Sequence, residues 1–245
     1  MSDIVLRAIG VVRTPFAQKF GIPRQGGLVD EIHARLELDA PYDREEAWRG
    51  IEGFSHLWLL TWFHAEKGAE QALTVRPPRL GGNARLGVFA TRAPYRPNPV
   101  GLSLVRLLRV ERMENEAVCV HVAGADLLDG TPLLDVKPYL PYAEALPQAT
   151  GGFAPEDGGV RLQVVWTEQG RAACALFSVR HPDLAVLVEA LLARDPRPAY
   201  QRGRASETGR VYGMRVYALD VRWRVMDALA EVLDVVEAGH AQANG

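Results

Sequence analysis

The 245-residue chain predicts a mainly β protein, with an N-terminal β-barrel over residues 1–145 and a small α+β domain over residues 160–238. Three observations lead there. The first 140 residues are short runs of alternating or β-branched residues joined by short turns, with few helical stretches between them. That pattern favours a closed antiparallel or mixed barrel over a doubly wound sheet. Pro138 to Gly159 is rich in Pro, Gly and acidic residues and reads as a linker. Beyond it, strand and helix patterns are mixed.

"DIVLRAIGVVR" alternates as a strand until Pro15 ends it. Asp43 and Glu46 have the spacing of a capping box, and Gly50 suits a stop, so a short helix is predicted from Arg44 to Arg49. "SHLWLLTWFHAE" places His56, Trp58, Leu60, Trp62 and His64 on one face and Leu57, Leu59, Thr61 and Phe63 on the other. Both faces are largely apolar, which predicts a central strand. "ARLGVFAT", "LSLVRLLRVERM" and "AVCVHVAGADLL" continue the strand pattern. In the smaller domain "RLQVVWT" is a strand. Pro182 opens a helix with apolar residues at 184, 187, 188, 191 and 192, and "RVYGMRVYALDVRWRVMD" is a pair of strands.

Composition narrows the function. Hydrophobic residues make up 48% and charged residues 24%, as in ordinary soluble domains. No apolar run reaches the ~20 residues of a membrane span, and no secretory leader is evident, so a cytoplasmic protein without membrane contact is expected. Cys119 and Cys174 stand far apart in apolar contexts and read as reduced core thiols. The motifs of nucleotide folds, zinc proteases and serine hydrolases are missing. The six histidines are scattered, so no metal is expected.

Charge is distributed unevenly around a net of −2. Seven arginines and no acid occur from Arg76 to Arg109, and seven more occur from Arg197 to Arg224 against only Glu207 and Asp220. Such fields suit an anionic partner, or else are solvated strand faces balanced elsewhere. "VFATRAPYRPNPVG" adds stiffness to charge. Its prolines fix the loop before any ligand arrives, Gly101 permits close approach, and Arg92 and Arg96 suit a carboxylate or phosphate. Arg24 and Gln25 lie in a turn framed by Pro23, Gly26 and Gly27. Asp126 and Asp129 sit at a strand end, where they suit ribose hydroxyls, an amino group or simply a turn. His64 is either a core histidine or a ligand contact. Arg197, Tyr200 and Arg202 combine phosphate-binding charge with a stacking face, the needs of RNA recognition.

Taken together, "IGVVRTPF", "GIPRQGGLV", "GIEGFSHLWLL", "VRPPRLGGNARLGVFATRAPYRPNPVGLSLV", "DLLDGTPLLDVKPYLPYAE", "DPRPAYQ" and "VRWRV" resemble the TsaA-like (TrmO) family across nearly the whole chain. The resemblance implies a single-sheeted β-barrel, a homodimer, and S-adenosylmethionine-dependent methylation of N6 of threonylcarbamoyladenosine beside the tRNA anticodon, at position 37. Carried over by motif, it implies cofactor contacts at Arg24, Gln25, Gly26, His64, Ala65, Arg92, Leu102, Asp126, Leu127, Leu128 and Asp129. RNA contacts are expected from Arg96, Arg197, Tyr200 and Arg202, with tRNA and not DNA as the partner. A base for the acceptor N–H is sought among Asp195, Tyr200 and Asp135. The rival readings are a non-catalytic RNA-binding module and a sensor of adenosyl ligands.

Overall fold

Inward-facing aliphatic side chains at every second position close the first part of the chain into a barrel. The computed structural model describes residues 4–66, 73–80, 84–114, 116–154, 161–198, 201 and 209–239. Among these, the described parts of Met1–Thr14 and Pro23–Glu156 form one compact unit, and those of Pro15–Ile22 and Asp157–Gly245 form another. Pro15–Ile22, which lies in sequence inside the predicted barrel domain, thus packs with the second unit. Phe16 is fully buried there, and the Tyr217 amide donates to the Pro15 carbonyl at 2.6 Å.

The first unit contains β1 (Gly10–Arg13), β2 (His33–Leu38), α1 (Glu45–Trp48), β3 (His56–Trp62), β4 (Thr74–Val75), β5 (Leu86–Gly87), β6 (Val100–Arg112), β7 (Val118–Ala123), β8 (Thr131–Pro138) and α2 (Pro141–Glu144). Six strands close in the order β1-β2-β7-β6-β3-β8, and every neighbouring pair is antiparallel. Closure pairs each of these six strands on both sides. Val12, Leu36, Leu57, Leu59, Val105, Val120 and Leu133 fill the interior and are fully buried. β3 alternates as its sequence predicts, with Leu57, Leu59 and Thr61 inward, and it pairs on both sides.

Three local expectations are corrected. The first strand is only Gly10–Arg13, because Gly10 already pairs with Leu38, the last residue of β2; Ile4, Val5 and Leu6 are exposed. "ARLGVFAT" gives two strand residues and then a 3-10 turn, Val88–Ala90, which Thr91 closes by donating both its amide and its hydroxyl to the Val88 carbonyl. The capping box does not form. Arg44 takes the cap position of α1 without a side-chain bond, and the Asp43 carbonyl instead accepts from the Val118 amide at 2.7 Å.

The second unit contains β9 (Gln163–Trp166), α3 (Glu168–Phe177), α4 (Leu184–Ala193), β10 (Val211–Val216), β11 (Leu219–Met226) and β12 (Leu229–Glu237). The sheet order is β10-β11-β12-β9, with only β12 and β9 parallel. The predicted strand pair is thus the start of a three-stranded meander. The apolar stripe of α4, Leu184, Leu187, Val188, Leu191 and Leu192, is buried as its spacing requires. Pro182 stands outside the helix. Asp183 takes the cap position, but its carboxylate accepts from the Tyr217 hydroxyl at 3.0 and 3.2 Å rather than from the helix. Cys119 and Cys174 are buried and free, and burial pushes both thiols up.

Candidate active site at the barrel rim

The turn around Gly26 is held against the barrel at backbone distance. A Cβ on Gly26 would stand 2.7 Å from the Leu104 carbonyl oxygen, so glycine is required by space. Gly27 has φ +75° and its amide donates to the Gly124 carbonyl at 2.8 Å; Gly124 has φ +82° and donates to Ile32 at 2.9 Å. These bonds tie the turn to the chain that follows β7. A Cβ on Gly26 would also stand 3.4 Å from Asp126 Oδ1, so the Asp126 carboxylate lies against the turn. The side-chain amide of Gln25 donates to the Arg24 carbonyl, and its oxygen accepts from Arg92.

Arg92 comes from the stiff loop the sequence singled out. The loop braces itself: Arg96 donates to the Thr91 carbonyl at 3.1 Å and to that of Ala93 at 3.5 Å. Arg92 is exposed and Arg96 half-buried. The Phe63 amide donates to the Pro99 carbonyl at 2.8 Å, which joins the end of the loop to the end of β3, where His64 and Ala65 are exposed. β6 begins where the loop ends. Gly101 lies under the Phe63 ring, where a Cβ would meet it at 2.9 Å. Leu102 faces outward and is 50% exposed. It pairs with Leu60, which pairs on its other side with Asp135. Paired residues share a face, so Leu102 and Asp135 stand on one outer row, two strand spacings or ~10 Å apart.

Residues 126–129 divide between two tasks. Burial pushes the Asp126 carboxyl above its ordinary range; the Ser103 hydroxyl, its own backbone amide, the Gly26 amide and the charge of Arg92 oppose that rise. Asp129 instead serves β1, accepting from the Thr14 amide at 3.0 Å with Arg13 at 3.6 Å. Leu127 is buried and its carbonyl accepts from the Thr14 hydroxyl at 2.8 Å; the Leu128 carbonyl accepts from Thr131. Asp135 is exposed, accepts from the Val136 amide at 2.9 Å and lies 3.9 Å from Lys137.

Arg24, Gln25, Gly26, Arg92 and Asp126 therefore converge, and the Pro99 bond and β6 join His64, Ala65 and Leu102 to the same rim. Ser103 is the member that sequence reasoning missed. Its signal was a lone hydroxyl at an inward position between Gly101 and Val105. In the second unit, Asp195 is 1% exposed and accepts from Arg197 Nε at 2.7 Å and Nη2 at 2.8 Å, and Arg197 is itself buried. Arg215 and Arg224 are ion-paired with Asp220 and Glu231 along the meander. Tyr200 and Arg202 lie outside the described residues. Among the described residues, no group of three His, Cys, Asp or Glu is placed to hold a metal ion.

Comparison with known proteins extends this picture. The family model of the tRNA-methyltransferase O N-terminal domain matches residues 11–145, and that of the TrmO C-terminal domain matches residues 159–238. The chain is 46% identical over 232 residues to the tRNA (adenine(37)-N6)-methyltransferase of Escherichia coli K12, covering 95% of this chain and 97% of that protein. It is 48% identical over 231 residues to a putative S-adenosylmethionine-dependent methyltransferase, RcsF, of Pseudomonas aeruginosa, covering 93% and 95%. The crystal structure of TrmO from Pseudomonas aeruginosa superposes with a TM-score of 0.77 at 40% identity, covering 96% of this chain and 99% of that one.

Proposed function

Because the chain belongs to the tRNA-methyltransferase O family, we propose that it transfers a methyl group from S-adenosylmethionine to N6 of threonylcarbamoyladenosine at position 37 of tRNA. We read it as a cytoplasmic homodimer that needs no metal. The observation that carries the reading is the convergence of Arg24, Gln25, Gly26, Arg92 and Asp126 on the barrel rim, in a chain whose two parts both match the family.

The rim suits the donor by chemistry. A guanidinium is a planar, charged donor that matches a carboxylate, so Arg92 and Arg24 serve as anchors rather than as acid or base. Gly26 lets the turn that carries Arg24 and Gln25 lie against the β6 backbone, and the exposed Leu102 on β6 offers an apolar surface. When bound, S-adenosylmethionine supplies an electrophilic methyl group on a sulfonium. The protein's contribution is orientation, which holds the acceptor nitrogen in line and at near-contact distance.

The acceptor must also lose a proton. The N–H between a purine and a carbamoyl group is more acidic than that of plain adenine, so a modest base suffices. Of the three candidates, Asp195 is doubly bonded to Arg197 and buried, and Tyr200 lies outside the described residues. Asp135 is exposed, in the same sheet row as Leu102, and we assign the proton to it. RNA phosphates are assigned to Arg96 and Arg202, with Tyr200 as a stacking face.

Labelled methyl transfer tests the reading. Incubation with labelled S-adenosylmethionine should label tRNA carrying the threonylcarbamoyl group and leave tRNA lacking it unlabelled. Equal labelling of both would remove the substrate assignment. Labelling of neither would remove the enzymatic one.

A further inference from the structure

The carboxylate of Asp126 is already engaged before any ligand enters. It accepts from the Ser103 hydroxyl on β6 and lies against the turn, where a Cβ on Gly26 would stand 3.4 Å from its Oδ1, and the charge of Arg92 favours its ionised form. Three separate segments meet on this one group: the 23–27 turn, the start of β6, and the connection from β7 to β8. One of its oxygens is thus committed to the fold, held by Ser103 and set against the turn. What it can do is fix the partners it holds.

We infer that Asp126 is a positioning residue that acts through Arg92, and that Ser103, buried on the inner face of β6, holds it in that role. This rests on the reading of the rim as the S-adenosylmethionine site. The chain of contacts runs from Ser103 to Asp126, from Asp126 to the Gly26 turn it lies against, and from Gln25 of that turn to the guanidinium of Arg92. The turn and the loop both carry residues assigned to the donor. Fixing them beforehand removes ordering costs that binding would otherwise meet. The other charged groups nearby are Arg24 in the turn, and Asp30, which lies beside Gly124 and pairs with Arg106 at 3.7 Å.

A double-mutant cycle separates positioning from contact. The affinity of the full-length chain for S-adenosylmethionine is measured by calorimetry for the wild type, Asp126→Asn, Arg92→Ala and the double variant. Asparagine keeps an oxygen for Ser103 and the same size beside Gly26 but lacks the charge. Positioning through Arg92 predicts that Asp126→Asn weakens binding at least about fivefold in the wild type and less than about twofold once Arg92 is gone. An equal loss in both backgrounds means direct contact and overturns the proposal, as does no loss in either.

Ser103 is tested by the pH profile. Acidification should weaken donor binding in the wild type as Asp126 takes up its proton. Ser103→Ala should move that fall to higher pH, because one bond that favours the carboxylate is gone. Ser103→Thr, which restores a hydroxyl, should move it back. Asp126→Asn should lack the fall. A profile indifferent to Ser103 removes that residue from the proposal, whether or not the variant is less stable. If the wild type fails to bind S-adenosylmethionine at all, the site reading falls and takes this inference with it. Binding by the wild type with additive losses sinks the inference alone.

Discussion

Arg197 donates to both oxygens of Asp195, at 2.7 and 2.8 Å, and both side chains are almost wholly buried. The bond to Asp195 and the charge of its carboxylate hold the guanidinium above its ordinary value, with a further contribution from Tyr212. Tyr212 in turn stacks on the buried Trp223 at 4.9 Å. A pair placed like this supports the second unit from within.

The consequence is asymmetric. Removing either partner takes the opposite charge away from a buried ion, at a cost of about 3–5 kcal/mol. Arg197→Ala and Asp195→Ala should each lower the denaturation midpoint of the second unit sharply. The double variant should cost less than the sum of the two. Additive losses in denaturant titrations would mean that the two side chains are not coupled. If Arg197 instead served phosphate alone, its removal would weaken tRNA binding and leave stability unchanged.

Gly26→Ala tests the rim by steric means. The new methyl would stand 2.7 Å from the Leu104 carbonyl oxygen, and backbone on β6 cannot yield as a flexible side chain would. Overpacking of this kind costs about 1–3 kcal/mol, and it should lift the turn that carries Arg24 and Gln25. Thermal stability and S-adenosylmethionine affinity should fall together. Gly53→Ala, where a Cβ meets nothing within 4 Å, should change neither. Unaltered donor affinity in Gly26→Ala would detach the turn from the site.

Residue pattern alone revealed most of the barrel and part of the site. The alternation of β3 and the 184–192 stripe of α4 translate directly into burial, because the core rewards each of those positions independently. The misreadings share a cause. At Val88 to Thr91 and at Asp43, a long-range or loop-closing hydrogen bond takes a group that local pattern assigned to a strand or a cap. The rim followed the same division. Arg92 and Gly26 stood out because stiff, charged and glycine-rich stretches are unusual. Ser103 did not, since its importance depends on Asp126, 23 residues away in sequence.

Asp126 should also leave a signature in stability. Burial raises its carboxyl, so the folded state holds that proton more tightly than the unfolded chain does. The group's contribution to stability is therefore greatest below the ordinary carboxylate range and is lost as pH rises through the raised value. The wild-type melting temperature, measured relative to Asp126→Asn, should fall as pH rises above the ordinary carboxylate range. At neutral pH the asparagine variant should be at least as stable as the wild type while binding S-adenosylmethionine less well, a separation expected of a group kept for function. A wild type that gains on the variant as pH rises would reverse the sign and show that the fold favours the charge.

Asp135 offers the most direct test of the chemistry. Exposed on the outer face of β8, it contributes little to the core, so Asp135→Asn should leave the melting temperature within about 0.5 kcal/mol equivalent of the wild type. It sits two strands from Leu102 and holds no contact to the Gly26 turn among its described bonds, so donor affinity should also be kept. What should change is the rate. Loss of a positioned base costs about 10²–10⁴-fold. Adding back small carboxylates, or raising pH so that solvent takes the proton, should recover part of the loss. Full activity in Asp135→Asn with intact tRNA would remove it from the mechanism and return the question to Tyr200, whose hydroxyl Tyr200→Phe would then test.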